Sequence, residues 1–245
     1  MAEASTQGDV APTLPLMAPL VVEEGWGVLH LFCRARRSLE PEAVVAAVKS
    51  AEVAGQQVVP FAVLGHKADL GFMLLGPDLV SLRRSQGALV SSGLEVSYSY
   101  LSLTEVSEYA RGLPAGRLEA RLHPRLPPVG KRAICFYPMS KRRGAEDNWY
   151  SLSYDRRLAL MNEHGASGRR FAGKVLQLVT GSTGLDDFEW GVTLFAKTPD
   201  LLKECVYSMR FDEASARYAE FGPFYTGVVG PVDEVLALCG SSPEG

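Results

Sequence analysis

Apolar positions along this chain fall into short runs, and the runs occur twice in one order. In the first half, residues 27–33 (GVLHLFC) form an almost unbroken apolar stretch of strand length. Residues 41–54 come next, with Val44, Val45 and Val48 on one helical face and Pro41 in the first turn, which predicts a helix. Residues 58–64 and 71–75 are apolar runs separated by a polar, glycine-containing turn, which predicts a hairpin. A helix over 79–90 and an alternating strand over 94–103 complete the half. The second half predicts a strand at 133–137, a helix at 154–164, strands at 175–180 and 189–196, a helix at 199–207 and a strand at 224–229. Each half therefore reads β-α-β-β-α-β, a ferredoxin-like unit, and the chain is expected to be an α+β protein. Antiparallel sheets covered by helices on one face leave the other face free. Two such sheets pack face to face or close into one barrel.

Pro114, Pro124, Pro127 and Pro128 punctuate the stretch between the halves. Proline lacks a donor N–H and disfavours helix at the residue before it, so this linker is expected to be extended or turn-like. The expected organisation is a disordered N-terminus over 1–19, a first half over 20–112, a linker over 113–130, a second half over 131–232 and a tail over 233–245. The second half carries the denser aromatic and charged clusters, and the chemistry is expected there.

Composition narrows the function classes. A chain of 245 residues, 47% hydrophobic and 22% charged, is long enough for one large domain or two of about 110 residues each. The net charge of −3 offers no basic surface, so nucleic acid is not expected as a partner. No apolar run approaches the roughly 20 residues of a membrane helix. The N-terminus lacks the basic-then-apolar order of a secretion signal. Cys33, Cys135, Cys205 and Cys239 show no C-x-x-C spacing, which argues against a zinc site or a disulfide framework and fits a reducing cytoplasm.

Four histidines are available: His30, His66, His123 and His164. His30 lies inside an apolar strand and His66 in a turn, so a packed and a solvated side chain are the simple readings. His164 ends the predicted helix before Gly165, a C-cap candidate, with Leu160 and Met161 on the same face. One of its ring nitrogens could bind a metal while the other donates to a carboxylate; a core histidine bonded to backbone is the alternative. Tyr137 ends an apolar strand at Pro138, which is expected to stop the ladder and turn the chain. Its phenol is neutral at pH 7 and able to give a hydrogen atom; an amphipathic tyrosine at a sheet rim is the plainer reading. Lys141, Arg142 and Arg143 could hold ligand carboxylates or form a solvated loop. Trp149, Tyr150 and Trp190 fit a core or the wall of a large flat ligand. The GSTG string at 181–184 lacks the spacing of a phosphate loop and reads as a hairpin turn.

Longer strings are more specific. CFYPMSKRR at 135–143, NWY at 148–150, EHG at 163–165 with Gly168 and Arg169, TGS at 180–182, DDFEWGV at 186–192 and MRFDEASARY at 209–218 resemble the coproheme decarboxylases of the chlorite dismutase superfamily. The likeness is dense from about residue 120 to 229 and runs in the family's order; the first half agrees only in its pattern of elements.

The resemblance implies a fold, an activity and a site. Two ferredoxin-like halves would form a dimeric α+β barrel, assembled as a homopentamer. The substrate would be Fe-coproporphyrin III (coproheme), converted by hydrogen peroxide to heme b through oxidative decarboxylation of two propionates to vinyl groups, the last step of the coproporphyrin-dependent route. His164 matches the proximal iron ligand and Tyr137 the tyrosine whose radical takes a hydrogen atom from a propionate. Tyr137, Pro138, Met139, Ser140 and Lys141 match the segment that holds the substrate. Gln177 matches a distal glutamine and Ser215 a propionate-binding serine. His123 stands where several members carry an arginine; as in the actinobacterial branch, it is the candidate distal base that takes a peroxide proton. Two other readings remain: chlorite dismutase chemistry, disfavoured by Gln177 in place of the distal arginine, and a non-catalytic heme-binding chaperone or sensor.

Overall fold

The computed structural model describes residues 17–110, 112 and 114–239. The expected disorder of 1–16 and the end of the tail, 240–245, lie outside them. Chain order is β1 (Gly27–Ala35), α1 (Pro41–Val53), β2 (Gln57–Val63), β3 (Leu70–Gly76), α2 (Leu79–Ser91), β4 (Leu94–Thr104), α3 (Ala115–Leu122), β5 (Ala133–Lys141), α4 (Tyr154–Arg169), β6 (Val175–Gly181), β7 (Trp190–Ala196), α5 (Pro199–Met209), α6 (Glu213–Ala216), β8 (Ala219–Phe221), β9 (Tyr225–Val229) and α7 (Val232–Leu238).

In the first half the strands lie in the order β4-β1-β3-β2, and in the second β9-β5-β7-β6, which is the same ferredoxin-like arrangement. All named pairs are antiparallel. Two seams join the halves. β2 pairs β9 from Phe61↔Val229 to Val63↔Gly227, and β4 pairs β6 at Leu103↔Gly181 and Thr104↔Thr180. The sheet therefore closes into one barrel of eight strands, with β8 added along the end of β5.

In the first half both faces of the barrel wall are buried. Val28, Phe32, Val59, Phe61, Ile134, Phe136 and Phe195 fill the interior. Leu29, Leu31 and Cys33 face the other way, against Val44 and Val48 of α1 and Leu82 and Leu89 of α2. A strand covered on both sides has no polar face, which is why 27–33 reads as a continuous apolar run. By the period of two, His30 points into the barrel with Val28 and Phe32. It is fully buried, its Nε2 is 3.0 Å from Thr193 Oγ1, and burial pulls its pKa down to about 3. It is a neutral, packed histidine.

Three expectations need correction. The linker is not wholly extended. Pro114 and Pro124 bracket residues 115–122 without interrupting them, so α3 forms between the prolines. Gln57 then pins the turn beyond α3, donating from Nε2 to Pro124 O (2.7 Å) and accepting from Leu126 N (2.8 Å). Second, the chain beyond 232 begins with α7, whose Val235 packs into the core of the first half. Third, Pro138 does not end its strand. On one side of β5, β9 covers 133–136 and β8 covers 139–141, so the proline stands where the partner strand changes. No ladder donor is missed there, and its carbonyl still accepts from Gly222 N (2.9 Å).

Candidate functional site

The helix carrying His164 starts at Ser153, whose side chain accepts from Arg156 N, and runs past Gly165 to Arg169. Gly165 is therefore an interior residue and not a cap; the left-handed glycine that closes this region is Gly173, with φ +76°. Only Leu160 of α4 is fully buried. The helix packs chiefly on α5 and α6, whereas α5 lies directly on β5, β6 and β7. Part of the outer wall of the second half is thus left open beside α4. Val179 of β6 is 41% exposed and Gln177 is exposed on the same face.

His164 is oriented by a carboxylate. Its Nδ1 is 3.0 Å from Asp212 Oδ2 and 3.4 Å from Ser215 Oγ. Asp212 also caps α6, accepting from Ser215 N at 3.0 Å through its other oxygen. Burial pushes the Asp212 carboxyl up, but the hydrogen bonds from His164 and Ser215 outweigh it and hold the group below its usual range. An ionised carboxylate only accepts, so Nδ1 carries a proton, and in the neutral ring Nε2 is the nitrogen that keeps a lone pair. Sequence reasoning calls for a carboxylate partner without naming one. The signal is present as Asp212 three residues before Ser215, the spacing of a helix N-cap.

Tyr137 lies on the outer wall because Ile134 and Phe136 point inward and the side chains alternate. It is buried against Phe224 (ring centroids 4.5 Å, 24° between planes) and Phe221 (5.7 Å, 66°). Burial holds its phenol above the usual tyrosine range. Gln177 belongs to the same face, on the far side of β7, where Gln177 pairs Leu194 and Leu194 pairs Cys135. That spacing across two strands is about 10 Å.

Lys141 is four residues beyond Tyr137 on the same face, about 13 Å along the strand. Its ammonium is buried, donates to Ala214 O (2.6 Å) and sits 4.4 Å from the Trp149 ring centre. Ala214 adjoins Ser215, so α6 links Lys141 to the His164–Asp212 pair. Arg142 and Arg143 are matched by the chain's own carboxylates: Arg142 is 3.9 Å from Glu220, and Arg143 donates to Glu189 at 2.5 Å. Glu189, which sequence reasoning misses, stitches this segment together. Its side chain accepts from Lys141 N (2.8 Å), and its own N–H donates to Met139 O (3.1 Å) and Ser140 Oγ (3.1 Å). An acid at a strand end carries no periodic signal that would mark it.

His123 stands apart. It caps the end of α3, with Nδ1 2.7 Å from Glu119 Oε1 and its ring edge-on to Trp26 at 5.0 Å. These partners belong to the first half and the linker. The structure thus links His164, Ser215 and Lys141 through α6, places Tyr137 and Gln177 on the outer face of the same sheet, and leaves His123 with Glu119 and Trp26.

Burial pulls the Lys141 ammonium down to about 8, against a slight upward pull from Asp212 and Glu189. Between pH 8 and 10.5 the unfolded chain binds more protons at this site than the folded one. The stability penalty of Lys141 is therefore complete below pH 8 and is relieved as pH rises to 10.5. Lys141→Met should be more stable than wild type at pH 7 by about 1–3 kcal/mol, with the gap closing by about pH 10. Urea denaturation of both proteins across that range checks the slope; a gap that widens with pH contradicts it.

Fold and site define a class: a dimeric α+β barrel whose second half carries a carboxylate-oriented imidazole and a partly exposed outer sheet face. The chain belongs to the chlorite dismutase family, whose sequence profile matches residues 36–230. It is 43% identical over 225 residues to a coproheme decarboxylase of Thermus thermophilus, covering 83% of this chain and 90% of that one. It spans 43% of the length of a curated relative from Natronomonas pharaonis named for heme binding, at 39% identity over 94% of this chain. Among solved structures, a heme-binding protein from Thermus thermophilus superposes with a TM-score of 0.79 at 38% identity, covering 93% of this chain and 99% of that one. A chlorite dismutase variant from Candidatus Nitrospira defluvii shares the fold at TM-score 0.71 and 20% identity, over 89% of this chain and 98% of that one.

Proposed function

We propose that this protein is a coproheme decarboxylase, taking Fe-coproporphyrin III and hydrogen peroxide to heme b. The observation that carries the reading is the His164 ring, with Nδ1 committed to Asp212 and Nε2 without a hydrogen-bond partner among the described residues. Among the described residues no group of three or more His, Cys, Asp or Glu could hold a bare metal ion. A single imidazole suits an iron that arrives with its other ligands already supplied by a macrocycle. The substrate brings the redox metal; the chain supplies axial ligation, position and charge.

In this reading His164 ligates the substrate iron and Asp212 keeps its tautomer and raises its basicity. Peroxide would be the two-electron oxidant for each propionate and would end as two waters. Tyr137, neutral in its buried setting, would lose its hydrogen atom to the peroxide-oxidised substrate, and its radical would take one from the β-carbon of a propionate held beside it. That propionate gives up the second electron as its bond to the carboxylate breaks, leaving a vinyl group and CO2. Pro138, Met139, Ser140 and Lys141 form the rail along which the porphyrin edge lies, Ser215 and Lys141 meet propionates, and Gln177 orients peroxide. Lys141 must first leave the Ala214 carbonyl. His123 serves as distal base only if the linker swings it away from Glu119 and Trp26. The working protein is read as a cytoplasmic homopentamer, which light scattering of the purified protein tests.

Adding coproheme and peroxide and following the porphyrin by mass spectrometry tests the activity. Stepwise loss of two carboxyl groups is expected. An unchanged porphyrin with tight heme binding would favour a carrier or sensor, in line with the relatives named only for heme binding. Oxygen release from chlorite would favour the dismutase reaction. Asp212→Asn should weaken heme or coproheme binding by about 10- to 100-fold, because the imidazole loses its charged orienting partner. A Soret titration measures it, and wild-type affinity would remove Asp212 from the site.

A further inference from the structure

We propose that Phe224, with Phe221, is a positioning residue for Tyr137: the two rings form a fixed aromatic wall that sets the plane of the phenol and screens it from water. This rests on the reading of Tyr137 as the group that exchanges a hydrogen atom with substrate.

The geometry is specific. Phe224 stacks nearly parallel on Tyr137 and Phe221 meets it edge-on. Ring pairs in these arrangements contribute beyond the area they bury, so the phenol has one favoured plane. The outer sides of the wall face solvent, with Phe221 45% and Phe224 37% exposed, while Tyr137 beneath them is 6% exposed.

The wall is tied down at three points. Phe221 pairs with Met139 across β8 and β5. Gly222 N donates to Pro138 O (2.9 Å), and a Cβ at Gly222 would stand 2.6 Å from the Pro138 ring and 2.7 Å from Phe188, so only glycine lets the turn lie this close. Lys67, from the opposite half of the barrel, donates to Phe224 O (2.7 Å). Pro138 thus acts as the floor under the wall as well as the neighbour of Tyr137. The raised phenol pKa is a consequence of the same cover. Phenylalanine is also a suitable neighbour for a tyrosyl radical, since a benzene ring is harder to oxidise than a phenol and does not draw the electron hole away.

The test uses the whole protein. In Phe224→Ala, tetranitromethane should nitrate Tyr137 at least about tenfold faster than in wild type, as the phenol gains water and its ionisation moves toward the ordinary value near about 10. Peptide mass spectrometry reads the site, and Tyr100 inside the barrel serves as the unchanged internal control. With coproheme and peroxide, kcat should fall about tenfold while KM stays within about twofold, the signature of a lost positioning contact rather than lost binding. Phe224→Leu, which keeps apolar bulk and protects the proposal against a misfolded alanine variant, should restore most of both. Unchanged nitration in Phe224→Ala, or a defect confined to KM, would overturn the proposal. If Tyr137→Phe itself decarboxylates normally, the functional reading fails, yet the nitration rates still decide whether Phe224 covers Tyr137.

Discussion

Tyr137→Phe is expected to bind coproheme within about threefold of wild type and to lose decarboxylation by at least about a thousandfold, some ~4 kcal/mol of barrier. The substitution is unusually clean here. The ring and its contacts with Phe221 and Phe224 are kept, so the wall and the strand should not move. Burial, with nearby thiols, raises the Tyr137 phenol pKa, so the hydroxyl is neutral and its removal takes away no charge. Only the O–H bond is withdrawn, and with it the hydrogen atom that the proposed chemistry needs. Mass analysis of the porphyrin after peroxide addition measures the outcome. Two carboxyl groups lost at the wild-type rate would take Tyr137 out of the mechanism and return it to the role of a packed rim tyrosine.

His164→Ala has the second large effect, and it has two parts. The Soret band of bound coproheme or heme should shift as the iron loses its imidazole, and affinity should fall well beyond the Asp212→Asn variant. Asp212 would also remain buried, 2% exposed at its side chain, with one of its partners gone. That should cost about 1–3 kcal/mol of stability. Added imidazole separates the two, since it can restore the Soret band by entering the vacated space without repairing the backbone. An unchanged spectrum would mean that another residue ligates the iron.

Period-two and period-three-to-four patterns locate most of the strands and helices to within a few residues, because burying an apolar face is a local requirement that each segment meets in its own composition. The same patterns explain the doubled β-α-β-β-α-β order. They fail where the deciding partner is distant. Pro138 reads as a strand end, yet it is mid-strand, because β9 gives way to β8 beside it and no ladder bond is asked of it. Gly165 reads as a cap, yet α4, which packs on α5 and α6, continues through it to Arg169. Residues 115–122 read as linker because the flanking prolines dominate the composition, though none falls inside the helix.

For the site, the strings around Tyr137, His164 and Ser215 are legible as a resemblance, and His30 is legible as a packed side chain, whereas the face it occupies is not, because both faces of β1 are buried. The chain by itself determined which segments fold and which faces they bury. Only the closed barrel decided that β5 turns Tyr137 outward under Phe224, that Asp212 reaches His164 across 48 residues of chain, and that His123 stays with Trp26. The physical reason is that hydrophobic burial is specified locally, whereas the direction and partner of a polar group depend on the strand or helix that packs against it.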